Sequence, residues 1–306
     1  MPYLRFSPSR AWARPTLGGL LSLVLISCAA GGTGTGGAGG EPTAGGGGSG
    51  GAPSAGGAGG EGAGFSSGGG GEGGFSGTPE VFGHSRTTLY KLNPESKAVG
   101  VVGPFVGCTN IEDIALDAQS NLFGTSDEGL FEIDKVSGDC TLVAPGEYPN
   151  SLSFVPAGTL DPDEEALVGF LDDQYVRIDI DTGNILEIGS PWNNDLVSSG
   201  DIVSVKDGPT YLTVKDAPNT PMSCRDCLVE INPNSGVIIE EFGPLGFDRV
   251  FGTAFWAGSV YGFTNDGELF EIVIENGSLV TTPIDLPDGL SFWGAGSTTS
   301  APPVPQ

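Results

Sequence analysis

Three features of this 306-residue chain predict an all-β fold, a five-bladed β-propeller closed by pairing its C-terminal strand with the N-terminal blade. The first is a short block that occurs five times: 81–92 (VFGHSRTTLYKL), 122–133 (LFGTSDEGLFEI), 167–178 (LVGFLDDQYVRI), 211–231 (YLTVKDAPNTPMSCRDCLVEI) and 260–272 (VYGFTNDGELFEI). Its last residues, Leu92, Ile133, Ile178, Ile231 and Ile272, lie 41, 45, 53 and 41 apart. A period in the forties with short strands marks propeller blades. The second is turn chemistry after each block, such as Asn93-Pro94, Asp134…Gly138 and Asn232-Pro233…Gly236, where Asx side chains close turns and Gly supplies positive φ. The third is complementary ends: the first block lacks a strand before it, and the last strand-like stretch lacks strands after it.

Taken in order, residues 1–27 read as an export signal. Arg5, Arg10 and Arg14 give a basic start free of acids, and 17–27 (LGGLLSLVLIS) is an apolar run too short to span a bilayer comfortably. The run ends Leu25-Ile26-Ser27-Cys28, which resembles the lipobox of bacterial lipoprotein signal peptides. That resemblance implies cleavage before Cys28, lipidation of its thiol and amine, and a membrane partner reached through the lipid. Ala29 stands where lipoproteins kept at the inner membrane often carry Asp, which implies the outer membrane.

Residues 28–79 follow as a tether. About half of them are Gly and no window has apolar periodicity, so burial cannot offset the cost of ordering them; the stretch reads as disordered. A Gly-rich coil of this length reaches roughly 40 Å. No strand precedes it and no helix follows it, so it is not a phosphate-binding loop. Signal, Cys28 and Gly-rich tether together look like surface lipoproteins of large-genome Gram-negative bacteria of the myxobacterial kind.

Residues 80–300 are the propeller, and 301–306 a tail. Each block supplies a strand of the type apolar-apolar-Gly, a polar turn, and a strand of the type apolar-apolar-polar-apolar, as in Leu130-Phe131-Glu132-Ile133. A rim strand follows, for example 140–144. An innermost strand precedes each next block, at 111–117, 151–155, 201–205 and 252–257, with a last at 292–298. Pairing of 292–298 with 81–85 then completes one blade, and Pro302-Pro303 ends the strand beyond it.

The chain carries 12 basic and 38 acidic residues; without the three Arg of the signal the balance is 9 against 38, or −29. The absence of a basic stripe excludes nucleic acid as a partner. Export makes cysteines candidates for disulfides. Cys224 and Cys227 sit in a hairpin insertion with no helix to stabilise a thiolate, so they read as a structural clip rather than a redox pair. Cys108 and Cys140 remain as the second pair. Cys108 lies before an innermost strand and Cys140 begins an outermost one after a turn on the other face, whereas a disulfide needs Cα atoms within about 7 Å.

Loops joining one blade to the next share a face with those joining second to third strands: 105–110, 147–150, 191–200, 215–227 and 244–249. This is the predicted functional face. It holds Tyr148, Asn150, Trp192, Asn193, Phe247 and Arg249 as candidate binding residues; aromatics beside amides suit glycan or protein ligands, or else plug blade junctions. On the innermost strands Asp113, Ser151, Asp201, Thr253 and Gly294 align. Asp113 and Asp201, with Glu112, are candidates for Ca²⁺ binding through oxygen ligands or for acid–base work on a glycosidic bond. Five-bladed glycosidases place three channel carboxylates on different blades; here the third is missing, and hydrogen bonding to backbone amides is the plainer role. No metal site is assigned, and no cofactor beyond that possible Ca²⁺. His84 has no Ser or Cys partner by motif and reads as structural, as do Trp256 and Trp293 on first strands. Gly-x-Ser-x-Gly, His-Glu-x-x-His and Walker motifs are absent.

The sequence therefore reads as a lipid-anchored envelope propeller used for binding or display. Two alternatives stay open: a carboxylate-dependent hydrolase or lyase acting on a glycan at the channel mouth, and a structural envelope scaffold. Repeats of this kind specify architecture and are shared by binders and enzymes.

Overall fold

A computed structural model describes residues 78–171, 174–189, 196–218, 220 and 223–305. The signal, Cys28, nearly all of the tether, Trp192 and Asn193 lie outside the described residues. Twenty strands are present: β1 Val81–His84, β2 Thr88–Leu92, β3 Val99–Pro104, β4 Asp113–Leu116, β5 Leu122–Thr125, β6 Gly129–Ile133, β7 Cys140–Pro145, β8 Leu152–Val155, β9 Ala166–Leu171, β10 Gln174–Ile178, β11 Ile185–Gly189, β12 Leu196–Ser204, β13 Thr210–Asp216, β14 Cys227–Ile231, β15 Ile238–Pro244, β16 Val250–Trp256, β17 Ser259–Thr264, β18 Leu269–Glu275, β19 Ser278–Ile284 and β20 Gly294–Ser297. They form five antiparallel four-stranded sheets. Blade 1 is β20-β1-β2-β3; blades 2 to 5 are β4–β7, β8–β11, β12–β15 and β16–β19.

Closure is as the ends of the sequence predict. Val81 pairs with Ser297, Phe82 with Gly296, Gly83 with Ala295 and His84 with Gly294. The Thr298 N–H donates to the Glu80 carbonyl at 3.1 Å, one residue beyond the ladder. The Glu80 carboxylate meets Lys91 in blade 1 and Lys135 and Ser120 in blade 2, so the first residue of the domain ties two blades together.

Burial falls from the axis to the rim. Strand β4 (DIAL) is buried throughout, β6 (GLFEI) exposes only Glu132, and β7 (CTLVAP) buries only Ala144. Innermost strands touch neighbouring blades on both faces and so tolerate continuous apolar runs, whereas rim strands meet solvent. Five apolar clusters fill the wedges between successive blades; one joins Phe170 and Tyr175 of blade 3 to Leu212, Val214 and Val229 of blade 4.

The recurring Gly of the block is a packing requirement. A Cβ on Gly262 would lie 2.3 Å from the Phe270 ring, on Gly124 2.7 Å from Ile133 Cδ1, and on Gly169 2.3 Å from the Ser151 carbonyl oxygen. In blades 2 and 5 the second strand thus lacks a side chain where a large third-strand residue folds back, and in blade 3 where the innermost strand's backbone approaches. After the third strand of blades 1 to 4 an Asx carboxylate or amide oxygen accepts N–H bonds two residues on, and in three of these blades three residues on as well: Asn93, Asp134, Asp179 and Asn232.

Both cysteine pairs are disulfides, with Cα–Cα distances of 5.7 Å for Cys108–Cys140 and 5.8 Å for Cys224–Cys227. The conflict of faces anticipated for Cys108–Cys140 is resolved by blade twist. Successive strands rotate by roughly 20–25°, so by the fourth strand the β6–β7 turn leans toward the preceding blade. The linker leaving β3 runs beside that turn: the Val106 N–H donates to the Gly138 carbonyl and the Cys140 N–H to the Val106 carbonyl, at 3.0 and 2.7 Å.

Candidate functional site

The innermost strands start at a common level around the axis, fixed by their pairing with second strands. Asp113 faces Thr125, Gly252 faces Phe263, and Gly294 faces His84. Ser151 stands beside Phe170, whose N–H donates to its Oγ at 3.1 Å, and the Asp201 N–H donates to Thr213 Oγ1 at 2.8 Å. The ring is therefore Asp113, Ser151, Asp201, Gly252 and Gly294. Sequence alignment places Thr253 with Asp201, and in second-strand register both stand one residue further along than Asp113, with register shifts in β12 and β16.

Asp113 and Asp201 are fully buried and hydrogen-bonded to each other. Each also caps the next blade. Asp113 Oδ2 accepts from Leu152 N at 2.6 Å, and Asp201 Oδ2 accepts from Thr253 N at 2.6 Å while its Oδ1 accepts from Ile202 N at 2.6 Å. Burial raises both acids, Asp201 to about 8, and Asp113 is raised further by the neighbouring Asp201 charge. The pair consequently retains a proton at neutral pH. His84 completes the cluster. Its Nδ1 lies 2.9 Å from the Ser85 carbonyl oxygen and therefore carries the proton, which leaves the Nε2 lone pair 4.0 Å from Asp113 Oδ1. Burial lowers the imidazole to about 4, so it is neutral. The imidazole reaches the axis past Gly294, where a Cβ would lie 2.2 Å from Asp113 Oδ1 and 2.4 Å from His84 Nε2.

One step outward from this ring lie Glu112, Asn150, Gly200, Phe251 and Trp293. With Ser199, Arg86 and Lys215 they line a cavity of about 270 Å³ at the channel mouth, to which every blade contributes. Arg86 follows β1 and Lys215 lies near the end of β13, so both stand at the mouth end of a second strand. The Arg86 guanidinium sits over the Trp293 ring, its Cζ 3.7 Å from the ring centroid, and Phe251 packs against the indole at 5.7 Å.

Of the residues singled out by sequence, Glu112 and Asn150 line this mouth, and with Tyr148 they also line an adjoining groove of about 450 Å³. Tyr148 is buried and its hydroxyl donates to the Gly183 carbonyl at 2.8 Å, tying two blades. Phe247 stacks on Phe270 at 3.8 Å by a separate rim cavity, and Arg249 pairs with Asp266; neither joins the mouth. Asp113 and Asp201 meet each other beneath the floor, and Glu112 does not join them. Trp293, expected in the core, is a mouth residue instead. Arg86, Ser199, Lys215 and Phe251 escaped sequence reading. Their signal is positional: Phe251 occupies the place before the ring that Glu112, Asn150 and Trp293 occupy in other blades. Among the described residues no group of three or more His, Cys, Asp or Glu is arranged to hold a metal ion.

Comparison with known protein families finds no match, and comparison with curated proteins finds none. Solved structures with similar folds include one from a nidogen/laminin complex, at 10% identity over 72% of this chain and 98% of that one with a TM-score of 0.45. A gluconolactonase from Xanthomonas campestris is similar at 13% identity over 65% and 69% of the chains, TM-score 0.40. A calcium-binding regucalcin from Agrobacterium tumefaciens is similar at 18% over 66% and 68%, TM-score 0.37.

Proposed function

We propose that this chain is a binding module, lipid-anchored through Cys28 in the outer membrane, that takes a small polar ligand at the channel mouth. The observation that carries this reading is the mouth itself, where five blades converge on one cavity with an Arg–Trp pair and exposed polar groups. Sites for small ligands combine concavity with a few placed polar groups. Binding is favoured over hydrolysis by the fate of the acids: Asp113 and Asp201 are buried, bonded to each other and to backbone N–H groups, and leave Glu112 as the acid lining the mouth. Strand β1 ends beside Arg86 at the mouth, so Glu80, which precedes β1, lies at the opposite face of the propeller.

The test is Trp293 fluorescence of the soluble domain titrated with an array of glycans and short peptides, with Trp293→Leu and Asn150→Ala as controls. Ligands that perturb the wild-type signal and are lost in both folded variants are expected. Ligands that bind undiminished in the variants would place recognition elsewhere.

A further inference from the structure

We propose that the mouth is a carboxylate receptor, in which Arg86 and Lys215 hold the acid group of a uronic-acid sugar. This rests on the reading of the mouth as the ligand site. The distribution of positive charge carries it. Beyond the signal the chain has nine basic residues against 38 acidic ones. Among the described residues, Lys91, Lys97, Lys135, Arg177, Arg225 and Arg249 are each paired with a carboxylate, and Lys206 lies near Glu165. The two left without an acid are Arg86 and Lys215, and both line the mouth. In a chain this acidic, two cations that escape pairing and meet at one cavity are a selected placement rather than a sampling of the surface.

Arg86 is also pre-set for the task. The contact with Trp293 holds the guanidinium at the mouth, and its Nε is buried without a hydrogen-bond acceptor. A carboxylate can take two parallel N–H···O bonds from the Nη groups of the guanidinium. Glu112, across the same cavity, repels a bare inorganic anion but accepts hydrogen bonds from hydroxyls, and Asn150 can donate and accept. A ligand with an acid at one end and hydroxyls at the other satisfies both sides. The volume, about 270 Å³, suits a single ring.

The experiment is calorimetric titration of the soluble domain with digalacturonate, its dimethyl ester and inorganic phosphate, at low and high salt. The acid should bind, weaken with added salt, and lose about tenfold or more in affinity when esterified. Arg86→Gln should abolish binding and Arg86→Lys restore only part, because the fork is lost. Lys215→Gln, at an exposed position, should weaken binding with the thermal melt unchanged, which keeps the test valid if the Arg86 variants fold poorly. Equal affinity for the ester would overturn the carboxylate assignment and leave the mouth as a neutral-sugar site. Phosphate binding as tightly as digalacturonate would also overturn it. If neither sugar binds and other ligands respond to the Trp293 variant, the acidic-sugar inference fails while the mouth stands; if no ligand responds to mouth variants, both fail.

Discussion

Gly294 is the residue on which the centre of the ring depends. It is the gap through which His84, on a second strand, faces Asp113 on the innermost strand of the next blade. Gly294→Ala pushes a methyl into Asp113 Oδ1 and His84 Nε2, and the Asp113 backbone Cα, 3.1 Å from that methyl, cannot swing aside. A loss of about 1–3 kcal/mol in urea-unfolding stability is expected, as for other overpacked cores. The same cluster sets a pH dependence. Asp113 and Asp201 are raised above the usual carboxylate range when folded, so between about pH 4 and 8 the folded state holds protons that the unfolded chain has released. Stability falls as pH rises through that window. His84, lowered from 6.5 to about 4, acts oppositely and adds stability as pH rises from about 4 to 6.5. The net fall should therefore show above about pH 6.5 in urea midpoints. Asp113→Asn, whose amide reproduces the protonated acid, should flatten it; an unchanged slope in that variant would contradict the shared proton. Little of this was legible in the sequence. Asp113 and Asp201 stand out as acids in equivalent strands, but their partners come from neighbouring blades, and the gap at Gly294 has no side chain to announce it.

At the scale of strands, β20 is a short element with a large share of the fold, because it supplies the innermost strand of blade 1 and the last wedge contacts of Phe292 and Ala295. Deleting 290–306 should abolish the cooperative unfolding transition of the whole domain, read by circular dichroism in urea. An intact domain with an unchanged midpoint would contradict closure by this strand. The Cys108–Cys140 disulfide spans 32 residues, and removing it with Cys108→Ser/Cys140→Ser should cost about 3–4 kcal/mol on the chain-entropy estimate. Blade number, strand order and the closing pair were readable because they follow from local periodicity and turn residues. The proximity of Cys108 to Cys140 was not, since it follows from cumulative twist across four strands. The bulge before Gly252 was not either, and that one-residue shift is what hid Phe251 from the mouth.

For the whole molecule, anchoring is the first thing to test. Cys28→Ala should leave the propeller folded and move it from the membrane fraction to the soluble fraction; unchanged detergent partitioning would contradict lipidation. The acidic surface bears on the same question. At a formal charge of −26, the full sequence is repelled by anionic lipid, so its surface charge favours no membrane attachment of its own.

The entry point at Glu80 has a mechanical consequence. A load applied between a ligand at the mouth and the N-terminal chain runs along β1, which is bonded over four residues to β2 on one side and to β20 on the other. Pulling a strand along its own axis shears both ladders together, so the bonds share the force instead of opening one by one. Pulled at Glu80, the domain should yield at high force in a single event. Pulled at its C-terminal end, the load runs along β20, which is bonded within its sheet to β1 alone, and a lower rupture force is expected in single-molecule stretching.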